Sequence, residues 1–94
     1  MNIEVSLRGP ISVVTGPQIN LDVPEGSKIS DMLEGIKGRY LARAKEAGLE
    51  EVFLNLKSQN LILVDGREIS ALEGAETKVE ESSEICLVNF THGG

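Results

Sequence analysis

Ninety-four residues suffice for one domain with one modest core, because small folds bury a smaller share of their surface than large ones. Fifteen acids against nine bases leave a formal charge of −6, which argues against direct nucleic-acid binding, since a phosphate backbone requires clustered lysine and arginine. The single cysteine, Cys86, excludes an internal disulfide and a thiolate cluster built from this chain alone, and it fits a reducing cytoplasmic setting.

The first nine residues, Met1–Gly9, lack a basic region followed by an apolar stretch, so no secretion signal is expected. Residues 2–8 alternate instead. Ile3, Val5 and Leu7 fall on one side and Glu4, Ser6 and Arg8 on the other, the period of a half-buried strand. Gly9-Pro10 breaks this run, and Thr15 to Pro17 breaks it again. Between the breaks, Ile11, Val13 and Val14 read either as a strand extension or as part of a long hairpin loop. Ile19, Leu21 and Val23 then alternate a second time, which predicts an antiparallel hairpin.

After Pro24 the period changes. Ile29, Met32, Leu33, Ile36 and Tyr40 recur at three- and four-residue spacing, one stripe of a helix. The expected helix covers residues 28–47, with Ser27 or Ser30 as its cap, Asp31 and Glu34 at its positive end, and Gly48 as its stop. Gly38 suggests a local irregularity, since glycine weakens a helix interior. Lys37, Arg39, Arg43 and Lys45 read as the helix's wet face.

Residues 49–60 fit a short helix or a connecting excursion. Residues 61–69 predict a strand, a turn at Asp65-Gly66 and a return strand ending at Ile69. A polar loop follows, and residues 84–90 form the last strand. No run approaches the ~20 apolar residues that span a bilayer. The order is strand, strand, helix, strand, strand, loop, strand. This is an α+β layout with one main helix on one face of one sheet.

The ingredients of self-contained catalysis are sparse. His92 is the sole histidine and stands in the tail, where an exposed residue is expected. Cys86 lies in mid-strand and reads as a packing residue. Glu76, Glu80, Glu81 and Glu84 match no calcium-loop spacing, so no metal site is expected. Residues 25–30 lack the glycine pattern of a phosphate-binding loop.

Alternation in the later strands defines a surface. If Ile85 and Leu87 face the helix, Cys86 and Val88 face outward; if Ile62 and Val64 pack inward, Leu61 and Leu63 face outward. With Phe90 at the margin, these side chains form an expected docking patch for a partner. The competing arrangement has Val52, Phe53 and Leu54 folded over that face.

The chain finishes on Gly93 and Gly94, directly after a strand-like run, where glycine adds nothing to packing. The strand–strand–helix–strand order, the approach "VPEGSKISDMLEGI" to the helix, the hairpin "LILVDGREI" and the final diglycine together resemble the ubiquitin-like β-grasp sulfur carriers of the MoaD/ThiS type. That family includes the small subunit of molybdopterin synthase and archaeal ubiquitin-like modifiers. Ser82-Ser83 before the last strand and Asn89-Phe90 before the tail depart from the family's usual pattern.

The resemblance implies a mixed sheet of four to five strands in a β-grasp domain over residues 1–90, and a flexible tail over 91–94. It implies a protein cosubstrate, not an enzyme, that binds no cofactor itself. An E1-like adenylating enzyme would use ATP to activate Gly94, and a sulfur donor would convert it to a thiocarboxylate. Gly93, Thr91 and His92 would complete the arm. Further partners implied are the large subunit of molybdopterin synthase and, with it, molybdenum cofactor biosynthesis. Protein modification or tRNA thiolation through the same Gly94 is the alternative.

Overall fold

In the computed structural model, which describes residues 1–90, the period-two runs become strands. In β1 (Asn2–Arg8), Ile3, Val5 and Leu7 are buried while Glu4 and Arg8 are exposed. Strand β2 (Gln18–Asp22) pairs with it antiparallel, placing Ile3 opposite Leu21 and Val5 opposite Ile19. The connection is neither an extended strand nor a plain loop. Gly9, at φ 92°, turns the chain into a single helical turn, α1 (Ser12–Thr15). Three-residue spacing then puts Ile11 and Val14 into the core and leaves Val13 78% exposed.

Helix α2 (Ile29–Glu46) runs unbroken through Gly35 and Gly38, so the expected irregularity is absent. It buries Ile29, Met32, Leu33, Ile36, Tyr40 and Ala44. The serine cap is also corrected. Ser27 donates its hydroxyl to the Pro24 carbonyl instead, at 2.6 Å. The helix entry is held by the Asp31 carboxylate, which accepts from the Lys28 backbone N–H at 2.9 Å, and by the Thr77 carbonyl, which accepts from Ile29 N–H at 2.8 Å. At the other end Gly48, at φ 74°, stops the helix. Its N–H reaches the Lys45 carbonyl at 3.2 Å and the Leu49 N–H reaches Ala44 at 2.8 Å, the paired bonds of a left-handed glycine terminus.

The excursion at 49–60 is two short helices, α3 (Glu50–Leu54) and α4 (Leu56–Gln59). They bury Phe53 and Leu56. The Phe53 ring lies 6.4 Å from Tyr40 of α2, at an interplanar angle of 47°. The excursion therefore packs on the helix side of the sheet.

Strand β3 (Asn60–Val64) turns at Asp65 and Gly66, whose φ values of 52° and 79° are those a two-residue hairpin turn requires, and returns as β4 (Arg67–Glu68). The return strand stops one residue short of expectation. Ile69 opens a 3₁₀ turn in which the Glu68 carboxylate accepts from Ser70 N–H at 2.7 Å. The polar loop is less solvated than its composition suggests, because Val79 is buried and Lys28 bridges Lys78 in antiparallel fashion. The Lys28 ammonium also pairs with the Glu76 carboxylate, whose hydrogen bond and charge hold the lysine pKa above its ordinary value. That contribution is present below the ordinary lysine pKa and is lost as pH rises through the raised one.

Strand β5 (Ile85–Asn89) inserts between β1 and β3, parallel to the first and antiparallel to the second. The sheet order is β2-β1-β5-β3-β4. Among the described residues no helix is long and apolar enough to cross a membrane.

Phe53→Ala is expected to remove ~3–5 kcal/mol of stability, because the residue is fully enclosed and joins the excursion to α2. Urea titration checks this as a lower midpoint at an unchanged slope.

Candidate functional site

Strand β5 carries two chemistries on successive residues. Ile85, Leu87 and Asn89 face inward and are buried; Cys86 and Val88 face outward and are half-buried. Register places Leu61 opposite Val88 and Leu63 opposite Cys86. These four side chains therefore share the outer face, and Leu61 is 40% exposed. On the other flank Ser6 lies opposite Cys86, and Arg8 opposite Val88. The outer face is thus apolar along β3 and β5 and polar along β1. A shallow concavity of about 550 Å³ crosses that boundary, lined by Glu4, Arg8, Gln18, Leu63, Cys86 and Val88. Phe90 follows directly after β5 and is 42% exposed.

The inner side of the same strand ends in a polar group. Asn89 is only 4% exposed. Its Oδ1 accepts from the Ile11 N–H at 3.0 Å, and its Nδ2 donates to the Gln59 carbonyl at 2.9 Å. Both partners are helix-end groups, one before α1 and one closing α4, which intrahelical bonds leave unsatisfied. Beside it in register is Asn60, also buried, whose Nδ2 donates to the Leu56 carbonyl at 2.8 Å. Asn60 Oδ1 has no hydrogen-bond partner among the described residues. Gly9 passes close over this point: a Cβ there would lie 2.2 Å from the Asn89 carbonyl oxygen.

The sequence marks Asn89 only as a departure from the family's usual pattern and not as a site residue. The available signal was the inward series Ile85, Leu87, Asn89, in which a polar residue takes a core position. Such a residue costs ~1–3 kcal/mol unless its groups are satisfied, so a carboxamide at that position implies hydrogen-bond partners from elsewhere in the fold. Thr91, His92, Gly93 and Gly94 lie outside the described residues.

No family model and no curated protein matches the sequence. Solved structures do. Small archaeal modifier protein 1 from Methanosarcina acetivorans matches with a TM-score of 0.67 at 28% identity, over 99% of this chain and 96% of its own. A protein assigned as molybdopterin converting factor, subunit 1, from Pyrococcus furiosus matches at 0.67 with 15% identity, over 97% and 99%. Urm1 from Trypanosoma brucei matches at 0.70 with 15% identity, over 99% and 95%. The chain has the ubiquitin-like β-grasp fold.

The expected β-grasp architecture, a mixed sheet with one main helix on one face, is borne out, and the sheet has five strands. So is the resemblance to the MoaD/ThiS type, whose likeness to this chain extends over almost the full length of each neighbour. In this β-grasp domain the last sheet strand delivers the chain to residues 91–94 from the sheet's centre, not from an edge.

Gly9 and Gly26 both have positive φ, but only Gly9 faces a backbone atom. Gly26→Ala is expected to cost ~1–2 kcal/mol from backbone strain alone. Gly9→Ala is expected to cost more than that, because the chain must also move off Asn89. Comparing the two urea midpoints checks the difference.

Proposed function

We propose that this protein is a sulfur carrier whose Gly94 carboxylate is the group that reacts. The observation that carries the proposal is the conjunction of a β-grasp body resembling carrier and modifier proteins with a diglycine following its central strand. A carboxylate resists nucleophiles because it is an anion with a reference pKa near ~3.5. An E1-like partner overcomes this by letting the carboxylate attack the α-phosphorus of ATP, which releases pyrophosphate and leaves an acyl-adenylate. A partner persulfide displaces AMP, and a second thiol then frees the thiocarboxylate as a disulfide forms on the partner. The chain supplies the carbonyl and the recognition surface; the partner supplies ATP and the catalytic groups.

Glycine suits this position. Without side chains, Gly93 and Gly94 can enter a narrow channel and let partner backbone and nucleotide approach. Thr91 and His92 form the rest of the arm. Leu61, Leu63, Cys86, Val88 and Phe90 form the surface a partner grips, since an apolar patch of this kind suits association. The route we favour for the sulfur is molybdenum cofactor biosynthesis in the cytoplasm, with the large subunit of molybdopterin synthase as recipient. The likeness to molybdopterin converting factor subunit 1 supports it.

One observation favours a second reading. The neighbour at 28% identity is a small archaeal modifier protein, and an acyl-adenylate can equally pass Gly94 to a lysine amine. tRNA thiolation would use the same activated end.

Intact-mass measurement of the protein recovered from its own cell separates these fates. A thiocarboxylate adds about 16 Da, sulfur replacing oxygen, whereas conjugation produces heavier species on a denaturing gel. Deleting Gly93 and Gly94 is expected to abolish both while leaving the melting temperature unchanged; a deletion variant that still functions rejects the proposal. Leu63→Asp and Val88→Asp are expected to keep the fold and weaken capture of the activating partner by at least about tenfold, since each buries a charge at the contact.

A further inference from the structure

The end of β5 is held by more than strand pairing. Asn89 joins three separate segments: its own strand, the entry to α1 through Ile11 N–H, and the end of α4 through the Gln59 carbonyl. Gly9 closes over the Asn89 carbonyl from a fourth direction, where no side chain fits. Together these groups make a collar around the last strand residue before the arm. A leucine has the same branched outline, with two methyls in place of the carboxamide oxygen and nitrogen, and satisfies the alternation, so the pattern alone does not call for the carboxamide. Two hydrogen bonds of defined direction do what packing cannot: they fix the position and the rotation of residue 89.

Position and rotation matter at this residue for a geometric reason. Val88 lies on the proposed docking face, and Asn89 is the next residue. A partner that grips Val88 and Leu61 therefore meets the start of the arm at a fixed offset, provided that residue 89 does not swivel. From there the five residues 90–94 reach at most ~17 Å when fully extended. An arm this short tolerates little error at its base, and a displacement of about 1 Å at a reacting centre can cost ~100-fold in rate.

We infer that Asn89 is a positioning residue for the reaction of Gly94, holding the base of the arm in register with the docking face. This inference rests on the proposed function, in which Gly94 is the reacting end. Asn89 touches neither ATP nor the sulfur donor and takes no proton. Its contribution is made before the partner arrives, by setting where the arm begins.

The test uses the full chain with Asn89→Leu, which removes both hydrogen bonds, and Asn89→Asp, which retains only the acceptor for Ile11 N–H. Asn89→Asp covers the case in which Asn89→Leu does not fold. ATP–pyrophosphate exchange is measured with the adenylating enzyme of the source cell, below the melting temperature of each variant. The expected result is a kcat lowered about tenfold or more at unchanged KM, because the docking face is intact and only delivery is impaired. Wild-type kcat in both variants overturns the inference. So does a loss that follows the folded fraction.

Backbone ¹⁵N relaxation of the free protein is the second readout. The Phe90 amide is expected to fall below an order parameter of ~0.6 in the variants while Leu87 keeps its value. An unchanged Phe90 also overturns the inference. If the wild-type protein supports no exchange and carries no modification at Gly94, the functional reading fails, and the relaxation result still decides whether the collar exists.

Discussion

The structure depends on burying one aliphatic stripe of α2 against the inner face of the sheet. Ile29, Met32, Ile36 and Ala44 are completely enclosed there, as are Ile3 and Val5 of the opposing strand β1. A helix with its side chains is ~10 Å across, whereas five strands at ~4.8 Å spacing spread over roughly 20 Å. One helix therefore covers about half of the inner face. The remainder must be covered by other parts, and these are the short ones: α1 with Ile11 and Val14, the α3–α4 excursion with Phe53 and Leu56, and the loop that carries Val79. Only two aromatic rings are buried, and they meet each other where the excursion joins the helix.

Among the described residues all this cover lies on one side, which leaves the other side of the sheet open. The two sides have different roles. The inner side is closed, aliphatic and structural. The outer side presents a strip of Leu61, Leu63, Cys86 and Val88 beside a polar strip from β1, a boundary of the sort at which proteins associate. Strand β5 contributes to both sides. The closed core and the outer apolar strip therefore meet in five residues, Ile85–Asn89.

The parts legible in the sequence were those governed by repeated short-range patterns. Alternation at Ile3, Val5 and Leu7, the stripe from Ile29 to Tyr40, the glycine stop at Gly48 and the Asp65-Gly66 turn each follow from local geometry. The parts that were not legible depend on contacts distant in sequence. Ile11 and Val14 form a helical turn just after Gly9, whose left-handed backbone lies against the Asn89 carbonyl of β5, far along the chain. Ser27 was a reasonable cap until Pro24 took its hydroxyl and Thr77 met the helix entry. Val79 sits in an acidic stretch and is buried where the loop bridges Lys28 and its own N–H reaches the Ser27 carbonyl. In the sequence Asn89 stands out only as a departure from the family's usual pattern. Its significance lies in two partners, Ile11 and Gln59, that no pattern in its own neighbourhood announces.

The parallel pairing of β1 with β5 has a consequence for how the molecule comes into being. Val5 sits opposite Ile85, so nearly the entire polypeptide separates two neighbours at the sheet's centre. The first hairpin alone is a two-stranded ribbon, which is marginal in water. During synthesis it must wait until the last strand has emerged, and contacts of such long range make folding slow. The outer strip shared by β3 and β5, and its boundary with β1, consequently exist only once the last strand has paired.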